Sequence, residues 1–279
     1  MRSLGHRLRA DGAPLLLGAL PLLFLFSFFL YPLIRLFITS FQGGAFAGYE
    51  KALTDGLYAG VLLDTLRISL VVTAISFVLA YPVAYFLASA SRLWAAIGFA
   101  CLLLPFWSSV LVRTYAWMIL LGRNGIVNQT LMDIGITTEP VQMLYNETGV
   151  VIGMVHVLLP YMVFPIYAVM LRIGRDLPLA AAGLGASPWR VFTRIYFPLT
   201  LPGAYAGAVL VFVIALGFFI TPALLGGGRV MMIGLLIERQ VQQFLDWPFA
   251  AALSALLLAA ALLVQGTFQR VLRADARWH

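Results

Sequence analysis

The sequence predicts an all-α membrane protein of six transmembrane helices with a helical loop on the cytoplasmic side. Three observations lead there. Of the 279 residues, 62% are hydrophobic and 10% charged, with a mean hydropathy of +0.96, whereas a soluble domain carries about 25% charged residues. Six stretches run nearly free of charge for about 20 residues, the length a helix needs to cross roughly 30 Å of hydrocarbon. These stretches are continuously apolar, where a β-barrel would alternate polar and apolar residues over runs of about 10.

The first stretch, residues 13–38, has Arg35 near its end. It exceeds the apolar region of a signal peptide and runs on through Tyr31-Pro32 to Phe41 without a small-residue cleavage site, so it reads as a retained span. Residues 68–91 and 93–112 make the next two spans, parted by Arg92. Residues 148–171, 195–225 and 247–269 make the last three. Outer loops are expected at 42–66, 122–147 and 226–246. With no internal repeat, the chain divides into a cytoplasmic segment 1–12, a six-helix domain 13–272 containing a cytoplasmic loop at 173–203, and a tail 273–279.

Charge gives the orientation. Arg2, Arg7, Arg9, Arg92, Arg172, Arg175, Arg190, Arg194, Arg270, Arg273 and Arg277 fall on one side with three acids, Asp11, Asp176 and Asp275. The other side has Lys51, Arg123, Arg229 and Arg239 with eight acids. The arginine-rich side, including both termini, is therefore expected in the cytoplasm. The net charge of +7 records this sidedness, and no clustered basic domain supports nucleic-acid binding.

Several chemistries are excluded by their missing parts. Cys101 is the only cysteine, so neither an intrachain disulfide nor a cysteine metal cluster can form. Gly226-Gly227-Gly228-Arg229 lacks the Gly-Lys-Ser/Thr ending of a phosphate-binding loop. Gly185-Ala186-Ser187-Pro188-Trp189 lacks the second glycine of a nucleophile elbow, and His156 stands alone in the fourth span as a packed or carbonyl-bonded residue. An ion-coupled carrier is disfavoured because the middles of the spans hold no Asp, Glu or Lys.

The loop after the fourth span has its own pattern. Residues 177–184 are rich in Ala and Leu and should form a short helix, which Gly185 can stop in the left-handed conformation. Ser187 and Pro188 then suit the N-cap and first position of a second helix. That helix, with Trp189, Phe192 and Tyr196 on one face and Arg190 and Arg194 on another, should lie at the lipid headgroups before the chain re-enters at Phe197-Pro198. Ala180, Ala181 and Ala182 leave the first helix slim enough for another protein to approach its backbone.

Ala180-Ala181, Leu184-Gly185-Ala186, Phe192 and Pro198-Leu199 resemble the cytoplasmic loop of the permease subunits of type I ATP-binding-cassette importers. The family's Glu falls on Leu179. Residues 105–117, together with Leu225-Gly226-Gly227, Ile233-Gly234 and 246–250, are similar to the branch that imports polyamines such as spermidine and putrescine. The resemblance implies a bacterial inner-membrane subunit, itself not an enzyme, that forms half of a solute path. It implies a second, related permease chain, a periplasmic solute-binding protein and two cytoplasmic ATPase subunits. Those subunits would use ATP and Mg, and no cofactor is expected on this chain. Leu179, Ala180, Ala181, Leu184, Gly185, Ala186 and Ser187 would couple to the ATPase.

For the path, the third span brings Trp107, Ser108, Ser109, Tyr115 and Trp117 together near its outer half. Trp and Tyr also serve as interface anchors. Aromatic faces suit an ammonium group. Glu238 is a candidate for meeting a cationic head group, unless it pairs with a nearby arginine, while Asp246 before Trp247-Pro248 reads as a helix N-cap. Arg113 points the other way, toward an anionic or zwitterionic solute such as an amino-acid derivative or phosphonate.

Overall fold

In hydrocarbon every backbone N–H and C=O must be satisfied within its own segment, so the apolar stretches have to be helical. The computed structural model describes residues 18, 19, 21–44, 46–174 and 176–275. The predicted segment 1–12, the start of the first span (13–17), residues 276–279 and Arg175 lie outside the described residues. In chain order the helices are α1 (Pro21–Ser40), α2 (Ala47–Thr54), α3 (Gly56–Ser89), α4 (Arg92–Leu103), α5 (Val110–Leu121) and α6 (Ile126–Asp133). They continue with α7 (Glu147–Met170), α8 (Asp176–Gly183), α9 (Pro188–Leu216), α10 (Ile220–Leu225), α11 (Ile233–Gln242) and α12 (Trp247–Asp275). No strand occurs among the described residues. By length and composition, α1, α3, α7, α9 and α12 can each cross a membrane.

The expected third span is not one helix. The chain from Arg92 to Trp107 and the chain from Val110 to Asp133 meet at an angle of 103°. Pro105 sits in a short 3-10 turn, Leu104–Trp107, after which Ser108 adopts extended backbone (φ −85°, ψ 148°). Ser109 then caps a new helix, its Oγ accepting from the Leu111 N–H at 3.2 Å. A proline followed by two serines thus stops one helix and starts another.

Three other boundaries differ from expectation. α3 begins at Gly56 rather than 68, capped by Asp55, whose carboxylate accepts from the Leu57 N–H at 2.9 Å. All three predicted outer loops contain helix: α2 and the first turns of α3 in 42–66, α6 in 122–147 and α11 in 226–246. The fifth span ends at Leu216, and α10 follows as a separate helix after Gly217. At its other end, the expected headgroup-level helix and the span are one continuous element, α9.

That continuity has a local cause. Pro198 has no N–H to donate, and the turn before it widens so that the Phe197 N–H reaches back five residues to the Phe192 carbonyl. The same device precedes Pro32, where the Tyr31 N–H bonds the Phe26 carbonyl. In both places a π turn lets the helix run into a proline instead of ending there.

The core is the bundle of α3, α7 and α9. Ile68, Val72, Ala80 and Ala84 meet Met154, Leu158, Met162 and Ile166, with Ala204, Val211 and Ala215 closing the third side. Gly203 and Gly207, four apart on α9, let its backbone approach α7. A Cβ on Gly203 would stand 2.6 Å from the Pro165 carbonyl oxygen, and one on Gly207 would stand 2.8 Å from the Met162 sulfur. Lipid is as apolar as leucine, so such close packing, rather than water exclusion, drives helix association in a membrane. A second cluster, Ala52, Val61, Ile233, Leu236, Phe249 and Leu253, ties α2, α3, α11 and α12 together.

Candidate functional site

The loop between α7 and α9 is built from backbone geometry. α8 ends where the Gly185 N–H bonds the Ala182 carbonyl at 3.0 Å and the Ala186 N–H bonds the Ala181 carbonyl at 3.1 Å, with Gly185 at φ +82°. This is a Schellman stop, which needs a left-handed residue at the position Gly185 occupies. Ser187 has the extended backbone of an N-cap, yet its hydroxyl makes no capping bond. Leu179 and Ala180 are exposed on α8, Ala181 and Ala186 are half-buried, and Leu184 at the turn is 90% exposed.

Behind the loop lies a cleft of about 620 Å3, with Ala182, Ala186 and Pro188 on one wall and Tyr85, Ala88, Ser89 and Met170 on the other. Trp189, Phe192 and Tyr196 stack along the start of α9, with ring centroids 6.0 and 6.3 Å apart. This face does not simply float at the headgroups. Phe192 and Tyr196 meet Tyr85 edge-on, and the Tyr81 hydroxyl is 3.0 Å from the Thr200 hydroxyl. The entry of α9 is thereby joined to the end of α3.

The path candidates are spread over two regions. Trp107, at the break, is 83% exposed, and Tyr115 is also exposed. Leu111, Tyr115 and Ile119 form one outward stripe of α5. Ser108 closes the turn, its Oγ donating to the Pro105 carbonyl at 2.7 Å. Trp117 turns inward onto His156, with ring centroids 5.5 Å apart. Arg113 lines a pocket with His156. Glu238 is elsewhere, on α11, which packs against α3, α10 and α12. It is half-buried and forms no ion pair among the described residues. Asp246 caps α12, accepting from the Phe249 N–H at 3.1 Å.

Three features escaped the sequence reading because nothing in the sequence specifies their partners. Arg67 of α3 pairs with Glu147 of α7 at 2.6 Å and with Asp64 at 3.4 Å. The Thr114 and Thr221 hydroxyls lie 3.3 Å apart where α5 crosses α10. Asn128, expected on an outer loop, is 0% exposed. Its amide nitrogen donates to the Gly122 and Val141 carbonyls at 3.0 and 3.1 Å, and its oxygen accepts from the Val141 N–H at 2.8 Å. A polar residue followed at a distance by a turn-rich segment was the one available signal, and it does not specify the partner.

No family model matches the chain. The spermidine/putrescine transport system permease protein PotB of Escherichia coli (strain K12) is 38% identical over 223 residues, which is 79% of this chain and 81% of the relative. PotB of Haemophilus influenzae is 36% identical over 213 residues, 76% of this chain and 74% of the relative. Among solved structures, a chain of the bacterial alginate ATP-binding-cassette transporter, in complex with an alginate pentasaccharide-bound periplasmic protein, superposes with a TM-score of 0.77. It is 21% identical, with 98% of each chain covered, a likeness in fold. Identity at this level over most of both chains, together with the helical bundle and its looped-out α8, places the chain: it belongs to the spermidine/putrescine-type permease family, the non-catalytic membrane subunits of ATP-binding-cassette importers.

Proposed function

We propose that this chain forms half of the membrane path of an importer for a polyamine such as spermidine or putrescine. The observation that carries the reading is the 38% identity to PotB over 79% of the chain. A periplasmic binding protein would deliver the solute, and a second, related permease would complete the path. Two ATPase subunits, using ATP and Mg, would dock on the loop 173–203. The chain would sit in the inner membrane with both termini and Gly185 at the cytoplasmic face.

The coupling surface would be α8 and its stop, Leu179 to Ser187. Leu179 and Leu184 are exposed there, so an apolar socket on the ATPase fits better than one built for an acid. The stacked Trp189, Phe192 and Tyr196, joined to Tyr85, supply a stiff connection from that loop to α3 and α9. Rigid connection of this kind is what domain rotation needs to reach the bundle.

Trp107 and Tyr115 would face the solute from the α4–α5 break, because their exposed faces are available to a path shared between two permeases. Ser108, Arg113 and Trp117 would border it, and Glu238 would meet an ammonium group from α11. The test is ATP-driven uptake of radiolabelled spermidine by the assembled transporter in proteoliposomes. Uptake is expected to be competed by putrescine and slowed in Glu238→Gln and Trp107→Ala with assembly intact. Transport of an acidic solute instead of spermidine, lost in Arg113→Gln, would overturn the assignment.

A further inference from the structure

Arg113 stands in the first turn of α5, and no described acid neutralises it: Asp64 and Glu147 both pair with Arg67. Its Nε is out of contact with solvent and has no hydrogen-bond partner. On α7, the Nδ1 of His156 is in the same condition. The two side chains line one pocket of about 70 Å3, walled elsewhere by Cys101, Leu102, Pro105, Leu159 and Pro160. A guanidinium whose Nε is shut off from solvent against these walls, with no counter-ion, is costly, so a charge of opposite sign belongs beside it.

We propose that this pocket binds a small monovalent inorganic anion, of chloride or bromide size, between the Arg113 guanidinium and the His156 imidazole. The imidazole takes part as its Nδ1–H tautomer, so both groups donate to the ion. The pocket exceeds the roughly 10–15 Å3 needed for one water, and its remaining walls carry no charged group to repel an anion. The inference deepens the polyamine reading and rests on it in one respect, that the break borders the path. A bare guanidinium there would repel a passing ammonium, and a bound anion cancels that field.

Trp117 packs against His156 and so reports on the pocket. The assembled transporter in detergent, titrated with bromide replacing gluconate at constant ionic strength, is expected to lose tryptophan emission along a saturable curve. Trp117→Phe should remove the saturable part, and Arg113→Gln should abolish it without removing the fluorophore. Wild-type transporter should also melt a few degrees higher in chloride than in gluconate, a measurement that needs no variant. Linear quenching identical in wild type and Arg113→Gln, with a melting temperature indifferent to the anion, would overturn the site. Water, or a carboxylate of the second permease, would then fill the place. Saturable bromide binding in a transporter that does not carry spermidine would uphold the site and sink the polyamine reading.

Discussion

In the loop between α7 and α9 each backbone feature has its cause within five residues, as when the Ala186 N–H closes on the Ala181 carbonyl. At the break between α4 and α5 the turn itself is local, set by Pro105 and Ser109, but what holds it against the bundle is not. Thr114 meets Thr221, 107 residues away, and Trp117 packs on His156 of α7. Both regions interrupt an apolar chain, and both carry candidate functional residues. The difference teaches that a helix stop can be written as a local motif, whereas the seating of a broken span depends on elements distant in sequence.

The comparison can be broken most severely in the core that both regions depend on. Gly203→Val would drive a branched side chain into the Pro165 carbonyl and Val169. Loss of the α7–α9 approach is expected to remove folded protein from the membrane, read as absence of a monodisperse peak in detergent. Normal yield would mean that α7 and α9 are held by something other than close packing.

Gly185→Val is the next largest, and it separates the α8 stop from the bundle. No atom lies within 4 Å of where its Cβ would stand, so the strain comes from φ +82° alone. A β-branched residue is poorly tolerated there, at a cost of roughly 1–3 kcal/mol. Transport should be lost while the protein stays in the membrane at wild-type level. Transport equal to wild type would show that the Schellman stop is not needed for coupling.

Asn128→Ala should act on the segment 122–147 and leave the α8 stop untouched. It strips three hydrogen bonds, each contributing about 0.5–1.5 kcal/mol. The melting temperature of the transporter is expected to fall, with ATPase pull-down unchanged. An unaltered melting temperature would show that the Asn128 hydrogen bonds do not hold Gly122 and Val141 together.

The smallest effect is expected from a probe of sidedness. Asp133 is exposed at the end of α6, one turn beyond the buried Asn128. In a Cys101→Ser background, Asp133→Cys should be labelled by an impermeant reagent on intact cells and should transport as wild type does. Labelling only after lysis would reverse the proposed orientation.

The sequence by itself determined the helical membrane class, the Gly185 stop and the Asp246 cap. These follow from hydrocarbon thickness, backbone hydrogen bonding and the φ preferences of single residues, all of which act over one turn or along one segment. Tertiary structure decided the rest. A continuous apolar stretch at 93–112 does not reveal that the chain before Trp107 and the chain after Val110 meet at 103°, because Pro105 permits a helix to kink or to stop, and the direction α5 then takes is seen only in its packing on α10. Nor does the chain order reveal that Arg113 and His156 share a pocket. Their meeting depends on how α5 crosses α7, and helix crossing is set by side-chain packing across the interface rather than by anything either segment encodes alone.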